Sequence, residues 1–306
     1  MRSLFLGIVF GWVAAAATGN LIADVRAAIA QRNFDHADRE IASYRSRSGV
    51  TPELAVAVSW MARGALAARS YDKADQYAME TRRLVQEQLK TRALDAEPQL
   101  PLALGAAIEV QAQAQAARGA RDQAVVLLQK ELQQYRQTSI RTRIQKNIHL
   151  LSLEGKPAPE IDGSRWLGAK PAPLSRLKGR PVLLFFWAHW CGDCRNEASV
   201  LAKLMQAYGS RGLLLMGPTQ HYGYVRGGLE ATPEQETAYI DEVRRQYYAS
   251  LGNIPVPLSE ESFKNYGAST TPTLVLVDRQ GIVRYYHPGA ASYDELAARI
   301  EAALGT

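Results

Sequence analysis

Trp187-Ala188-His189-Trp190-Cys191-Gly192-Asp193-Cys194 holds the only two cysteines of a 306-residue chain, set two residues apart at the end of an apolar run. That run, Pro181-Val182-Leu183-Leu184-Phe185-Phe186-Trp187, is short, apolar and aromatic, the pattern of a strand buried on both faces. Beyond the cysteines, Ala198, Leu201, Leu204 and Met205 recur at helical spacing. The cysteines therefore fall where a central strand ends and a helix begins. A helix N-terminus presents free N–H groups and a partial positive charge, which favour a thiolate at Cys191 over a thiol. The thiolate is the attacking species in disulfide exchange, and the two-residue spacer lets Cys194 reach back onto a mixed disulfide formed at Cys191.

Half of a zinc site is the competing use of such a pair. Zinc takes about four ligands at defined spacing. The chain has five histidines, no third cysteine and no second Cys-x-x-Cys or His-x-x-x-His. Redox chemistry is the expectation, with no metal and no cofactor beyond a redox-active Cys191-Cys194 disulfide.

With these residues in view, the sequence resembles the thioredoxin superfamily and, more narrowly, its TlpA-like membrane-associated or exported thiol-disulfide reductases. The resemblance rests on Trp190-Cys191-Gly192-x-Cys194 after an apolar strand, on the approach from Leu174 to Ala188, and on the opening Gly155-Lys156-Pro157-Ala158-Pro159. Thr271-Pro272-Thr273 lies about eighty residues downstream of the cysteines, before the apolar run Leu274 to Val277. It covers roughly residues 151 to 306. It implies an α/β thioredoxin-like fold, a central mixed sheet with flanking helices, in which Cys191 and Cys194 are catalytic. It also implies that Trp190 packs beside the disulfide and shapes a docking surface. Pro272 would be cis, with the Thr271 backbone facing Cys191 and pairing with a substrate chain; a trans proline that merely opens a strand is the alternative.

The activity so implied is reduction of protein disulfides, with protein thiols and disulfides as partners and a membrane electron donor upstream. A peroxiredoxin-like peroxidase is a rival, but Ala188-His189-Trp190 lacks the threonine and proline expected before a peroxidatic cysteine. A second rival is a helical-repeat adaptor with an accessory redox domain.

Two positions depart from the thioredoxin pattern. Phe185 stands six residues before Cys191, where thioredoxin keeps a buried acid, so a base for Cys194 must come from elsewhere. Asp193 replaces the usual proline; its charge opposes thiolate formation, whereas His189 and Arg195 would favour it if close. A less stabilised thiolate makes the pair more reducing. His189 is expected to be a partly exposed neighbour of the site.

The chain is about twice the length of a typical domain, with 47% hydrophobic and 22% charged residues and a net charge of +6 from interleaved signs. These values fit folded domains and give no basis for nucleic-acid binding. Residues 1–19 have the form of a secretory signal: Arg2, an apolar stretch from Leu4, and small residues at Ala15-Ala16-Ala17. Export to a periplasmic space follows, with an uncleaved anchor through residues 4–23 as the other reading.

Residues 20–152 are rich in Ala, Gln, Arg, Leu and Glu, a helical composition. Three turns, at Asn33 to Ala37, Ser70 to Ala74 and Gly119 to Ala124, resemble the hairpins of degenerate tetratricopeptide-type repeats. Such an array would offer a protein partner a concave face; a plain helical bundle that orients the redox unit is the alternative. The basic positions Arg136, Arg141, Arg143 and Lys146 read as a solvated helix face.

Residues 153–306 form the second unit. Leu213 to Met216 is a second buried strand, followed by a loop with His221, Tyr222 and Tyr224 that either faces a partner or packs under an inserted helix. That helix opens with a capping box at Thr232 and Gln235 and runs to about Leu251. Ile254 to Leu258, with two prolines, is an edge strand. Leu274 to Val277 and Ile282 to Tyr286 form an antiparallel pair about the Asp278 to Gly281 turn, and a last helix starts at Ser292.

Overall fold

The computed structural model describes residues 20–305, so the expected signal or anchor at residues 1–19 lies outside the described residues. Seven helices come first: α1 (Leu21–Ala30), α2 (Phe34–Ser48), α3 (Pro52–Ala67), α4 (Tyr71–Leu89), α5 (Gln99–Ala117), α6 (Arg121–Gln134) and α7 (Arg141–Ser152). The odd-numbered helices pack in succession, α1 on α3, α3 on α5 and α5 on α7, each with its even-numbered partner alongside. Small side chains permit this closeness: Ala55, Ala57, Ala62, Ala103, Ala107 and Ala112 are fully buried.

Three hairpin turns repeat one geometry. Arg32, Arg69 and Gly119 all have positive φ, at 57°, 59° and 89°. The next amide closes a six-residue ring in each case, Asn33 to Ala28, Ser70 to Ala65 and Ala120 to Gln115. This is the Schellman ending, which satisfies carbonyls left over by the helix. Ala37, Ala74 and Ala124 then sit fully buried where the next helix meets its partner.

The second half holds strands β1 (Trp166–Gly168), β2 (Val182–Phe186), β3 (Leu214–Met216), β4 (Pro255–Pro257), β5 (Thr273–Val277) and β6 (Val283–Pro288). Its helices are α8 (Gly192–Tyr208), α9 (Pro233–Tyr247), α10 (Glu260–Tyr266) and α11 (Tyr293–Gly305). The four-stranded sheet has the order β3-β2-β5-β6, parallel between β2 and β3 and antiparallel elsewhere. All five residues of β2 are buried, as its continuous apolar run requires. Leu183 and Phe185 face a core shared with α8 and α11, while Val182, Leu184 and Phe186 face one closed by Phe263 and Tyr266 of α10. The proline-bearing strand β4 pairs outside the main sheet, antiparallel to β1.

The two halves touch through α7, which packs on α10 and β6. Gly267, at φ +62°, makes the closest approach: a Cβ there would stand 2.3 Å from the Lys146 backbone nitrogen. Around it, His149 Nε2 lies 2.8 Å from the Asn265 carbonyl oxygen, Arg141 meets Glu261 at 3.3 Å, and His149 edges onto Tyr286. The expectation of a solvated basic face is corrected here. Arg143 Nε and Lys146 Nζ reach Glu109 on α5 at 2.9 and 3.2 Å and are largely buried, because α7 is covered on two sides.

Candidate active site

Strand β2 delivers the chain to the site, and its far end is tied down. Trp187 N–H donates to the Pro218 carbonyl at 3.1 Å, and the Trp187 carbonyl accepts from Thr219 Oγ1 at 2.8 Å. Trp187 is buried against Tyr248, with its indole N–H on the Gly217 carbonyl at 2.9 Å. Cys191 follows as the N-cap residue of α8. Its Sγ accepts the Cys194 N–H at 3.0 Å and is joined to Cys194 by a disulfide with Cα atoms 5.3 Å apart. In the reduced protein the same N–H and the helix terminus point at a Cys191 thiolate. Cys191 is 4% exposed and Cys194 fully buried, so an incoming group meets Cys191 first. Trp190 beside it is 49% exposed, an unusual position for a tryptophan and a ready contact surface.

Thr271-Pro272 is a cis peptide. The register of β5 on β2 pairs Phe186 with Thr273, which sets Pro272 opposite Trp187, at the edge of the segment that leads into Cys191. Thr271 Oγ1 is buried and has no hydrogen-bond partner. The structure thus brings Trp190, Cys191 and Cys194 together on one turn and places Pro272 immediately before the neighbouring strand β5.

Two acids complete the site. Glu197, one turn along α8 from Cys194, is 3% exposed and accepts only the Ala291 N–H, at 3.4 Å. Burial raises its carboxyl from an ordinary 4.5 to about 7, the Ala291 bond opposing. It is an acid with a carboxyl near neutrality on the buried helix face that carries Cys194. The spacing 194, 197, 201 held the clue: an acid set in a buried stripe.

The second acid, Glu236 on α9, is fully buried. It accepts Tyr222 N–H and Gly223 N–H at 2.6 and 2.8 Å and pairs with His189 Nε2 at 3.1 Å. His189 is 1% exposed, which corrects the expectation of a partly exposed neighbour. Tyr222, Tyr224 and Tyr239 enclose its ring edge-on at 5.3 to 5.6 Å. Burial lowers the imidazole's affinity for a proton, against the hydrogen bond and charge of Glu236. The loop tyrosines therefore pack beneath the inserted helix, and Tyr222 alone reaches Trp190, at 5.5 Å. Among the described residues, no group of three or more His, Cys, Asp and Glu side chains is placed to hold a metal ion.

Sheet order, flanking helices and a Cys-x-x-Cys at the strand-to-helix junction define a thioredoxin-like fold carrying a thiol-disulfide oxidoreductase site. In keeping with this, residues 174–304 match the family model described as a thioredoxin-like domain. The chain is 24% identical over 150 residues to the thioredoxin-like protein YneN of Bacillus subtilis, covering 48% of this chain and 79% of that protein. It is 28% identical over 152 residues to the thiol:disulfide interchange protein DsbE of Pseudomonas fluorescens, covering 48% and 76%. Protein DipZ of Mycobacterium bovis is 29% identical over 144 residues, only 19% of its own length. A solved thiol-disulfide isomerase from Corynebacterium glutamicum aligns with 50% of this chain and 97% of its own, at 19% identity and a TM-score of 0.40.

Proposed function

We propose that the protein is an exported reductase of protein disulfides. The observation that carries this reading is a Cys191 sulfur at a helix N-terminus, beside a half-exposed Trp190 and one turn from a buried acid that titrates near neutrality. Cys191 thiolate attacks a substrate disulfide, forming a mixed disulfide and releasing one substrate thiolate. Glu197 accepts the Cys194 proton. The Cys194 thiolate then attacks Cys191 Sγ, releasing the second substrate thiolate and leaving the Cys191-Cys194 disulfide, two electrons having passed to the substrate. A dithiol donor at the membrane restores the pair.

Trp190, Thr271 and Pro272 hold the substrate chain, the orphaned Thr271 hydroxyl being consistent with a missing partner. The reducing direction is favoured by the carboxylates of Asp193 and Glu236, which oppose a stable thiolate, and opposed by Arg195 and the α8 N-terminus. Export rests on the form of residues 1–19; among the described residues no helix is long and apolar enough to cross a membrane. We divide the chain at residues 19 and 152, the middle unit being a tetratricopeptide-like array for a protein partner. A cleft of about 540 Å³ lined by Asp38, Arg45, Val58, Tyr77 and Glu80 supports a peptide-sized contact there.

The test is insulin reduction together with trapping. Cys191→Ser abolishes turnover, and Cys194→Ser accumulates a mixed disulfide through Cys191. A Cys191→Ser protein that still reduced disulfides would end this reading.

A further inference from the structure

The inserted helix α9 grips the active-site segment at two points. Near its start, Glu236 holds the His189 side chain and, through two backbone amides, the Tyr222-Gly223 loop. Near its end, the Tyr247 ring lies under Arg195, 4.2 Å from the guanidinium, and Arg195 Nη2 donates to the His189 carbonyl at 3.0 Å. One residue, two positions before Cys191, is thus held by its side chain from α9 and by its backbone from Arg195 of α8, which Tyr247 of α9 covers. Tyr222 extends the first grip to the Trp190 ring.

The two grips carry opposite charges in unequal surroundings. Glu236 is fully buried and, among the described residues, forms an ion pair with His189 and with no lysine or arginine, whereas Arg195 is half-buried and in reach of solvent screening. An ordinary fold-stabilising carboxylate in such a place would be matched by a cation, because an unmatched buried charge is costly. The groups facing His189 are Glu236 and Tyr239 from α9, Tyr222, Tyr224 and His221 from the preceding loop, and Arg195 from α8. Burial lowers the imidazole's affinity for a proton, with the hydrogen bond and charge of Glu236 opposing.

We propose that Glu236, acting through His189, is a positioning residue of the exchange reaction. It locks the Trp190-Cys191 segment to α9 and keeps a buried negative charge against His189, two residues before Cys191, that opposes the ionisation of Cys191, making the couple more reducing. This rests on the thiol-disulfide reading above and adds to it a residue outside the Cys-x-x-Cys turn that sets the couple's strength.

The experiment is equilibration of the full chain with glutathione at pH 8.5, near the ordinary thiol pKa of about 8.5, alongside the pH profile of Cys191 alkylation. Glu236→Gln keeps the shape and removes the charge. Cys191 should then alkylate with a lower midpoint, and the disulfide should become about fivefold easier to reduce; tenfold corresponds to about 30 mV for this two-electron couple. Arg195→Met should move both readings the opposite way. Unmoved values in a folded Glu236→Gln protein, or shifts of the same sign in both variants, overturn the proposal, since loosening of the loop has no reason to follow charge.

Should Glu236→Gln fail to fold, Arg195→Met decides. Removing the cation that opposes Glu236 at the same residue must raise the Cys191 alkylation midpoint and make the disulfide harder to reduce. Values that stay unmoved, or that move the other way, overturn the clamp. A wild-type pair that exchanges with glutathione while the variants stay unmoved leaves the reductase reading standing; a pair that does not exchange removes both.

Discussion

Buried carboxylates are handled differently in the two halves of the molecule. In the helical half, Glu131 meets Arg82 at 2.7 Å, and Glu109 meets Arg143 and Lys146 at 2.9 and 3.2 Å. At the far end of the redox sheet the same habit holds, with Asp278 on Arg284 at 2.6 Å. Beside the cysteines it stops: Glu197 has one backbone N–H, and Glu236 has two backbone N–H groups and an imidazole. Matched charges secure helix and strand contacts at little net cost. Acids without a cation are costly to bury, and they occur where proton transfer and thiolate control are needed. Residues 20–152 are built to pack; the turn around Cys191 is built to react.

The comparison is broken most severely by separating the halves. Gly267 has φ +62° and no room for a Cβ against the α7 backbone, so Gly267→Ala combines a left-handed strain with a collision that no side-chain rotation relieves. We expect a loss of about 3 kcal/mol in chemical denaturation, with new proteolysis between residues 152 and 160 as α7 lifts from α10. Disulfide exchange by the released redox half should persist. A single unfolding transition unchanged from wild type would show that the halves do not depend on this contact.

Glu109→Gln tests the matched class. Burial alone would raise this carboxyl, but the Arg143 and Lys146 charges and the Arg143 and Asn147 hydrogen bonds outweigh it and hold it at about 2. Its folded pKa lies below the unfolded one, so its contribution is present above about 4.5 and is lost as pH falls towards 2. The variant should lose about 2 kcal/mol at pH 7, with that deficit shrinking in acid, and should exchange disulfides at the wild-type rate. A change in exchange rate would contradict the assignment of Glu109 to packing alone.

The difference between the halves also decided what could be read from the sequence. The three hairpin turns and the alanines at 37, 74 and 124 were legible because helix pairs stack by local rules, in which a turn signal and a small residue recur together. β2, the Cys-x-x-Cys turn and the Thr271-Pro272 junction were legible because each is a short contiguous pattern. β1 was missed, since three residues pairing with a proline-bearing strand leave no periodic trace. The burial of His189 was missed because it depends on Glu236, 47 residues away, on an inserted helix. Arg143 and Lys146 looked like a solvated face because the second cover on α7, the redox domain itself, is a tertiary fact.

Glu197→Gln tests the unmatched class, with the opposite sign. With its carboxyl raised to about 7, the folded protein binds a proton that the unfolded chain has released between pH 4.5 and 7, so stability falls as pH rises through that window. A neutral amide removes this slope: stability should match wild type near pH 5 and exceed it by about 2 kcal/mol at pH 8. The same substitution should slow resolution of a mixed disulfide by about tenfold or more, abolishing the rise in rate near pH 7, because no acceptor remains for the Cys194 proton. A variant both less stable at pH 8 and unimpaired in resolution would place Glu197 with Glu109 and Glu131 among acids kept for packing, and the contrast between the two halves would fail at its central residue.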